Sequence, residues 1–274
     1  MSPPIPVRII GALNITPDSF YDGGRFEDPQ AAVDHAGQML ADGADIIDIG
    51  GESTGPHSPT VPEEEELRRV LPVIDAIRRK FPDALLSIDT YKSAVAKAAI
   101  ERGVRMVNDV TAGRSDPRMF STVASSGASM ILMYAKDPTP RTTVEERRYD
   151  DVIATIREFL RERKQSAIDA GILPDRIILD PGLGHFVSSD PRCSLEILAR
   201  LAELADLGCP FLVSPSRKSF LAGSENLTTA DRLPGTVAAS AIAVLHGASY
   251  IRTHDVLEVR RGCEIAMWIQ TFLR

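Results

Sequence analysis

The chain has 274 residues, 43% hydrophobic and 25% charged, the make-up of an ordinary globular protein, and its formal net charge of -7 argues against a nucleic-acid surface, which needs a basic face. Cys193, Cys209 and Cys263 stand apart with no Cys-x-x-Cys spacing, so they read as small buried hydrophobes rather than as a disulfide framework or zinc site. No apolar run approaches the ~18–20 residues of a membrane span and Met1-Ser2-Pro3-Pro4 is not a charged lead into a signal peptide, so a cytoplasmic protein is expected.

Residues 7–13 are a β-branched run, followed by a long polar loop from Asn14 to Gly24. Val33, Ala36, Met39 and Leu40 then recur at helical spacing behind Pro29, and Gly43 closes the stretch. The unit repeats. Strands are predicted over 44–49, 84–89, 105–110, 129–133 and 176–180. Their helices enter at Pro62, run over 93–102, open at Asp116-Pro117, carry Ile153, Ile156, Leu160 and Ala167, and span 195–207. The acidic run 63–66 complements a helix N-terminus and is most simply structural. A seventh strand over 209–213 opens into Ser214-Pro215-Ser216-Arg217-Lys218-Ser219, two cations among hydroxyls at a strand end. Helix 236–245, strand 248–252 and an amphipathic stretch with Val256, Val259, Ile265, Ile269 and Phe272 close the chain. About eight β runs alternate with about eight helical ones without a linker, which predicts an α/β protein, a single-domain (β/α)8 TIM barrel over 1–274.

In such a barrel, polar residues at the C-terminal strand ends are the site candidates. They are Asn14, Glu52, Thr54, Asp89, Asn108, Asp109, Asp180, Arg217, Lys218, Arg252 and His254. Each alone could be a helix cap or a buried hydrogen-bond partner, but together they converge on one mouth. Asp89, Asn108, Asp180 and Thr54 are acceptors or mixed donor–acceptors suited to a flat nitrogen-rich ring. Arg252 and His254 alternate along one strand and suit a phosphate clamp, while Asn14 with its oxygen-rich loop suits Mg²⁺ shared with water and phosphate. A heterocycle deep in the barrel and a phosphorylated tail at the rim are the expected ligand.

Leu13-Asn14-Ile15-Thr16-Pro17-Asp18-Ser19-Phe20, Asp48-Ile49-Gly50-Gly51-Glu52-Ser53-Thr54, Ser87-Ile88-Asp89-Thr90, Asn108-Asp109-Val110, Asp180-Pro181-Gly182-Leu183-Gly184, Ser216-Arg217-Lys218-Ser219 and Ile251-Arg252-Thr253-His254-Asp255 resemble, in order, the motifs of the dihydropteroate synthases. The resemblance implies a TIM barrel, usually homodimeric, that joins p-aminobenzoate to 7,8-dihydropterin-6-ylmethyl diphosphate with Mg²⁺ and releases pyrophosphate. It implies that Asp89, Asn108 and Asp180 bind the pterin with Lys218 packed against it, that Asn14 binds Mg²⁺, and that Arg252 and His254 hold the diphosphate. Thr54 and His185 would border p-aminobenzoate, with Ser216 and Thr253 completing the substrate-binding set; the implied catalytic set is Lys218, Asp89, Arg252 and His254.

Three departures fall on the side expected for p-aminobenzoate. Gly55 stands where the family usually has Arg, Tyr134 where it has His, and His185-Phe186-Val187 where it reads Phe-Gly-Lys. The last arrangement, with its apolar pair, and the Val213-Ser214 lead into Ser216-Arg217-Lys218-Ser219 are similar to the sulfonamide-insensitive branch. Competing readings are a Schiff-base aldolase with Lys218 as nucleophile, a pterin-dependent methyltransferase module, and an inactive pterin-binding paralogue. His35, His57 and His246 have no convergent partners in the sequence and read as structural.

Overall fold

Branched apolar residues between glycine-closed helices build the expected strands. In the computed structural model, which describes residues 6–15 and 29–273, the strands are β1 (Arg8–Asn14), β2 (Ile46–Gly50), β3 (Leu85–Asp89), β4 (Met106–Asp109), β5 (Ser129–Met133), β6 (Ile177–Asp180), β7 (Phe211–Val213) and β8 (Ala248–Thr253). All neighbours are parallel and the sheet closes in chain order, β1 pairing β8 with Ile10 opposite Arg252. The helices α1 (Gln30–Ala41), α2 (Glu63–Lys80), α3 (Ser93–Glu101), α4 (Met119–Ser126), α5 (Val152–Asp169), α6 (Pro191–Arg200), α7 (Leu233–Leu245) and α8 (Val256–Gln270) alternate with them. The architecture is the expected (β/α)8 barrel.

Strand side chains alternate between two faces. One set meets the helices and forms the main core; the other fills the barrel. Ile10, Ile46, Met106, Ile131, Ile178, Leu212 and Tyr250 form an apolar floor inside it, drawn from every strand except β3. Two positions further along, Ile46 gives way to Asp48, Met106 to Asn108, Ile178 to Asp180 and Tyr250 to Arg252. The period of two therefore places a polar layer directly above the apolar one.

One helix differs from the expectation. In place of a single helix over 195–207, α6 starts at Pro191, where Asp190 Oδ1 accepts the Arg192 N–H at 3.0 Å, and residues 201–207 continue as a 3-10 helix. Asp then Pro is a strong start signal. Leu201, Leu204 and Leu207 are buried at a spacing of three, the repeat of the tighter helix.

Candidate active site

The polar layer holds Asp48, Asp89, Asn108, Asp180 and Arg252. Arg252 lies across it: Nε donates to Asp48 Oδ2 at 2.7 Å and Nη2 to Asp89 Oδ2 at 2.8 Å. Asn108 Nδ2 donates to the same Asp48 oxygen at 3.0 Å. Burial works against the Arg252 cation, but the two carboxylates outweigh it and raise its pKa. Burial raises the Asp89 carboxyl to about 7, with Arg252 pulling it down and Asp48 pushing it further up. Asp180 is also raised by burial, against the attraction of Lys218, and its Oδ1 accepts the Gly182 N–H at 2.8 Å.

Lys218 is the second cation of the mouth. Burial lowers its pKa to about 8, opposed by Asp180. Its Nζ sits 5.4 Å from the centre of the Phe186 ring, and Gly184, at φ +67°, lets the stem pass where a Cβ would stand 3.4 Å from Lys218 Cδ. Gly182 is required more strictly, since a Cβ there would lie 2.4 Å from the Tyr134 carbonyl oxygen.

Arg217 does something different from its neighbour. Its guanidinium grips Asp255 with two bonds at 2.9 and 2.7 Å and donates to the Thr229 and Ala230 carbonyls at 3.0 and 2.7 Å. Its backbone is left-handed, at φ +51°, a conformation that needs this over-determination. Arg217 thus shapes the loop, and Lys218 is the cation of the pair that lies over Phe186 and is attracted by Asp180.

At the rim, Ser216 Oγ lies 3.0 Å from His254 Nδ1 and accepts the His254 N–H at 3.2 Å, while Asn14 Nδ2 lies 3.3 Å from His254 Nε2. His254 is exposed on one side, but protein atoms crowding the ring on the other, aided by the Arg252 cation, lower the imidazole pKa, so it is neutral near pH 7. A neutral ring that accepts from Asn14 at Nε2 donates from Nδ1 to Ser216. Thr253 is fully buried and bonds Ser216 Oγ at 3.4 Å; it supports this group from behind. Since Asn14 directs its Nδ2 to His254, Oδ1 is its oxygen available to a cation. A Cβ at Gly50 would stand 3.8 Å from both that atom and Asp89 Oδ2, so the two oxygens flank one spot. Mg²⁺, which keeps water and phosphate oxygens and needs few protein ligands, fits such a donor. Among the described residues no group of three or more His, Cys, Asp or Glu could hold a metal. The oxygen-rich loop of Thr16, Asp18 and Ser19 lies outside the described residues.

Several candidates prove to serve the loops. Asp109 accepts Thr111 N–H and Oγ1–H at 2.8 and 2.7 Å and Gly113 N–H at 2.8 Å, so both its oxygens organise the turn after β4. Glu52 is buried and bound by Lys92, Arg141 and, at 3.0 Å, the Tyr91 hydroxyl. Thr54 is half-buried on the loop after β2, and its carbonyl accepts the Thr142 N–H at 3.3 Å. His185 is half-buried on the loop after β6; burial, with Lys136 and Lys218 nearby, lowers its pKa, and Nδ1 is buried without a partner among the described residues. Tyr134 is a core residue, edge-on to Phe159 at 5.2 Å and with its hydroxyl 3.1 Å from that of Tyr149. His246 bonds the Leu198 carbonyl at 2.7 Å, as a structural histidine should. Sequence reasoning passed over Asp48, whose signal was a carboxylate in the middle of an isoleucine strand. Val110, Met133, Ala135 and Phe186, an apolar cluster beside Lys218, carried no such signal.

The comparisons with known proteins agree with this geometry. A family described as pterin binding enzyme matches residues 10–254. A dihydropteroate synthase of Clostridium beijerinckii is 41% identical over 94% of this chain and 92% of its own length. Among solved structures, a dihydropteroate synthase from Clostridium difficile in the presence of pteroic acid superposes with a TM-score of 0.89 at 38% identity, covering 98% of each chain. That of Xanthomonas albilineans with 4-aminobenzoic acid gives 0.88 at 37% identity, over 98% of this chain and 94% of that one.

Proposed function

The chain belongs to the pterin binding enzymes, as one of their dihydropteroate synthases, and from that premise we propose that it condenses p-aminobenzoate with 7,8-dihydropterin-6-ylmethyl diphosphate to give 7,8-dihydropteroate and pyrophosphate. The observation that carries this reading is the polar layer over an apolar floor, where Asp89, Asn108 and Asp180 converge with Lys218.

A pterin presents amino and ring N–H donors along one edge, which buried carboxylates accept, and ring carbonyl and nitrogen acceptors that Asn108 and Lys218 satisfy. Asp89 and Asp180 accept from the ring, and Arg252, expected at the diphosphate, is instead tied to Asp48 and Asp89, so its part is to hold Asp89 in place and offer a flat cation beside the heterocycle. His254, Ser216 and Asn14 face the leaving diphosphate at the rim. Mg²⁺, held through Asn14 Oδ1, would neutralise charge on the departing phosphates. The protein performs little covalent chemistry. Cleavage of the C–O bond leaves positive charge spread over the electron-rich pterin, which Asp89 and Asp180 stabilise, and the aniline nitrogen attacks the exposed carbon. Thr54 and His185 border the p-aminobenzoate that supplies this nitrogen.

The reading extends to one domain over 1–274, a cytoplasmic location and a homodimer. No helix is long and apolar enough to cross a membrane among the described residues. Ile242 on α7 and Ile265, Trp268 and Ile269 on α8 are exposed on two helices packed together, which supports a face for a second copy. The apolar pair in the loop after Gly184 and the Val213-Ser214 lead into Ser216-Arg217-Lys218-Ser219 support reduced sulfonamide sensitivity. Inhibition as strong as in an ordinary sensitive enzyme would remove that part.

The deciding experiment is pyrophosphate release from dihydropterin diphosphate and Mg²⁺ with and without p-aminobenzoate. Release that depends on p-aminobenzoate and yields dihydropteroate is expected. Pterin binding without release would return the chain to the non-synthase readings.

A further inference from the structure

The loops that carry Thr54 and His185 are both fastened to a third loop, 134–151, between β5 and α5. Arg141 donates from Nε to the Ser58 carbonyl at 2.6 Å, from Nη2 to the Pro59 carbonyl at 2.5 Å, and to Glu52 Oε1. The next residue, Thr142, gives its backbone N–H to the Thr54 carbonyl at 3.3 Å and its hydroxyl to the His185 carbonyl at 2.6 Å. One residue therefore faces the loop after β2 and its neighbour reaches the loop after β6.

The anchor under Arg141 is fixed from the other side. The Glu52 side chain is 2% exposed and is bound by Lys92, which also bonds Glu66 and the Val61 carbonyl at 2.8 Å. Tyr91 donates its hydroxyl to Glu52 at 3.0 Å. Glu66 is wholly buried on α2. A charge held this way cannot follow a moving loop, because leaving Lys92 would strand it without a partner away from water. The tie thus runs from helix α2 through Lys92, Glu52 and Arg141 to Thr142 and the His185 loop.

We propose that Arg141 and Thr142 are positioning residues that couple the Thr54 loop to the His185 loop, so that p-aminobenzoate meets a rim already set in place. This rests on the reading of those two loops as the p-aminobenzoate side. Loops fixed before binding do not have to be ordered by the ligand, so the tie acts on affinity for the second substrate and leaves the pterin layer alone. Nothing in the chemistry of Arg141 requires it to touch substrate: its Nε and Nη2 already meet Glu52, Ser58 and Pro59.

The test uses the full chain with Arg141→Ala, Arg141→Lys and Thr142→Val. Three quantities are read: amide hydrogen exchange over 52–60 and 183–188, steady-state kinetics in p-aminobenzoate, and calorimetric affinity for dihydropterin diphosphate. Arg141→Ala should speed exchange in both loops and raise the KM for p-aminobenzoate roughly tenfold, the loss of one charge-assisted hydrogen bond, with kcat and pterin affinity little changed. Arg141→Lys should recover only part, since an ammonium cannot span three acceptors as a planar fork does. Thr142→Val should speed exchange over 183–188 with the same effect on KM. If Arg141→Ala frees 52–60 and leaves 183–188 at the parent rate, the coupling is absent and the proposal fails. Equal losses of pterin and p-aminobenzoate affinity would reduce both residues to general stabilisers and overturn it too. If the parent protein releases no pyrophosphate in response to p-aminobenzoate, the substrate assignment falls and the positioning claim with it, while exchange still reports whether the loops are tied.

Discussion

Asp48 accepts Arg252 Nε at 2.7 Å although Asp48 has no exposure to solvent, and the same oxygen takes the Asn108 amide at 3.0 Å. The pair joins β2 to β8 within the polar layer. Asp48→Ala would leave a buried guanidinium and a buried amide short of an acceptor, so a stability loss of about 3–5 kcal/mol is expected. Urea denaturation with an unchanged slope measures it. A loss under about 1 kcal/mol would mean that Arg252 is hydrated as a surface cation is.

With Asp89 accepting from the pterin edge, as proposed, an acid limit on pterin binding is expected. Its carboxyl is raised to about 7 in the folded chain against roughly 3.9 for an unfolded one. A raised acid binds protons more tightly when folded, so its relative stabilisation is complete below the unfolded value and is lost as pH rises through the folded value. Ligand binding runs the other way, since the pterin edge needs the carboxylate. Affinity for pterin should rise with pH up to about 7 and then level off. Asp89→Asn should abolish this dependence and weaken binding by about 1.5–3 kcal/mol. A pH-independent affinity in the parent would refute the assignment.

Arg217 should behave as a frame for Lys218. Arg217→Lys keeps the charge and loses the fork that grips Asp255 and the two carbonyls. Turnover should fall roughly tenfold or more as Lys218 loses its direction, by analogy with the loss of positioning in other sites. Full activity in Arg217→Lys would show that Lys218 is placed by Gly184 and Phe186 alone.

Gly55 can be tested by restoring the side chain usual in its relatives. A Cβ there would meet Ser53 Oγ at 3.5 Å and Ser58 Oγ at 3.7 Å, ordinary contact distances, so Gly55→Arg can be accommodated. An added rim cation should lower the KM for an anionic substrate by roughly twofold to fivefold, the scale of one exposed ion pair. The effect should shrink in high salt, and a salt-independent change would point to a rearranged loop.

The barrel was legible because about eight strand-like runs alternate with helical ones, and the polar layer because Asn108 and Asp180, at the ends of β4 and β6, fall two residues beyond apolar Met106 and Ile178. Asp89, Asn108, Asp180 and Lys218 were read from their places at or just after strand ends, and their ligand roles from the family resemblance. Asp48 was not, because it sits inside the strand, where a carboxylate is compatible with the fold only through partners more than fifty residues away in sequence. Glu52, Asp109 and Arg217 were read as mouth residues, since strand-end position does not distinguish a side chain that meets ligand from one that fastens a loop. Lys92 and Arg141 had no local signature, as their partners come together only after the loops fold. The start of α6 was misplaced because leucine periodicity outweighed the shorter Asp190-Pro191 signal.

The contacts that close the mouth also cross the seam where the sheet's first strands meet its last. Asn14 and His254 are 240 positions apart, and Asp48 and Arg252 are 204 apart. During synthesis the acids at 48 and 89 leave the ribosome long before the guanidinium that compensates them. A nascent chain therefore carries Asp48 and Asp89 without Arg252 until β8 emerges, and a polypeptide that ends before β8 lacks both Arg252 and His254. A frameshift or stop codon ahead of β8 would remove Arg252 and His254 together, and with them the guanidinium that Asp48 and Asp89 share.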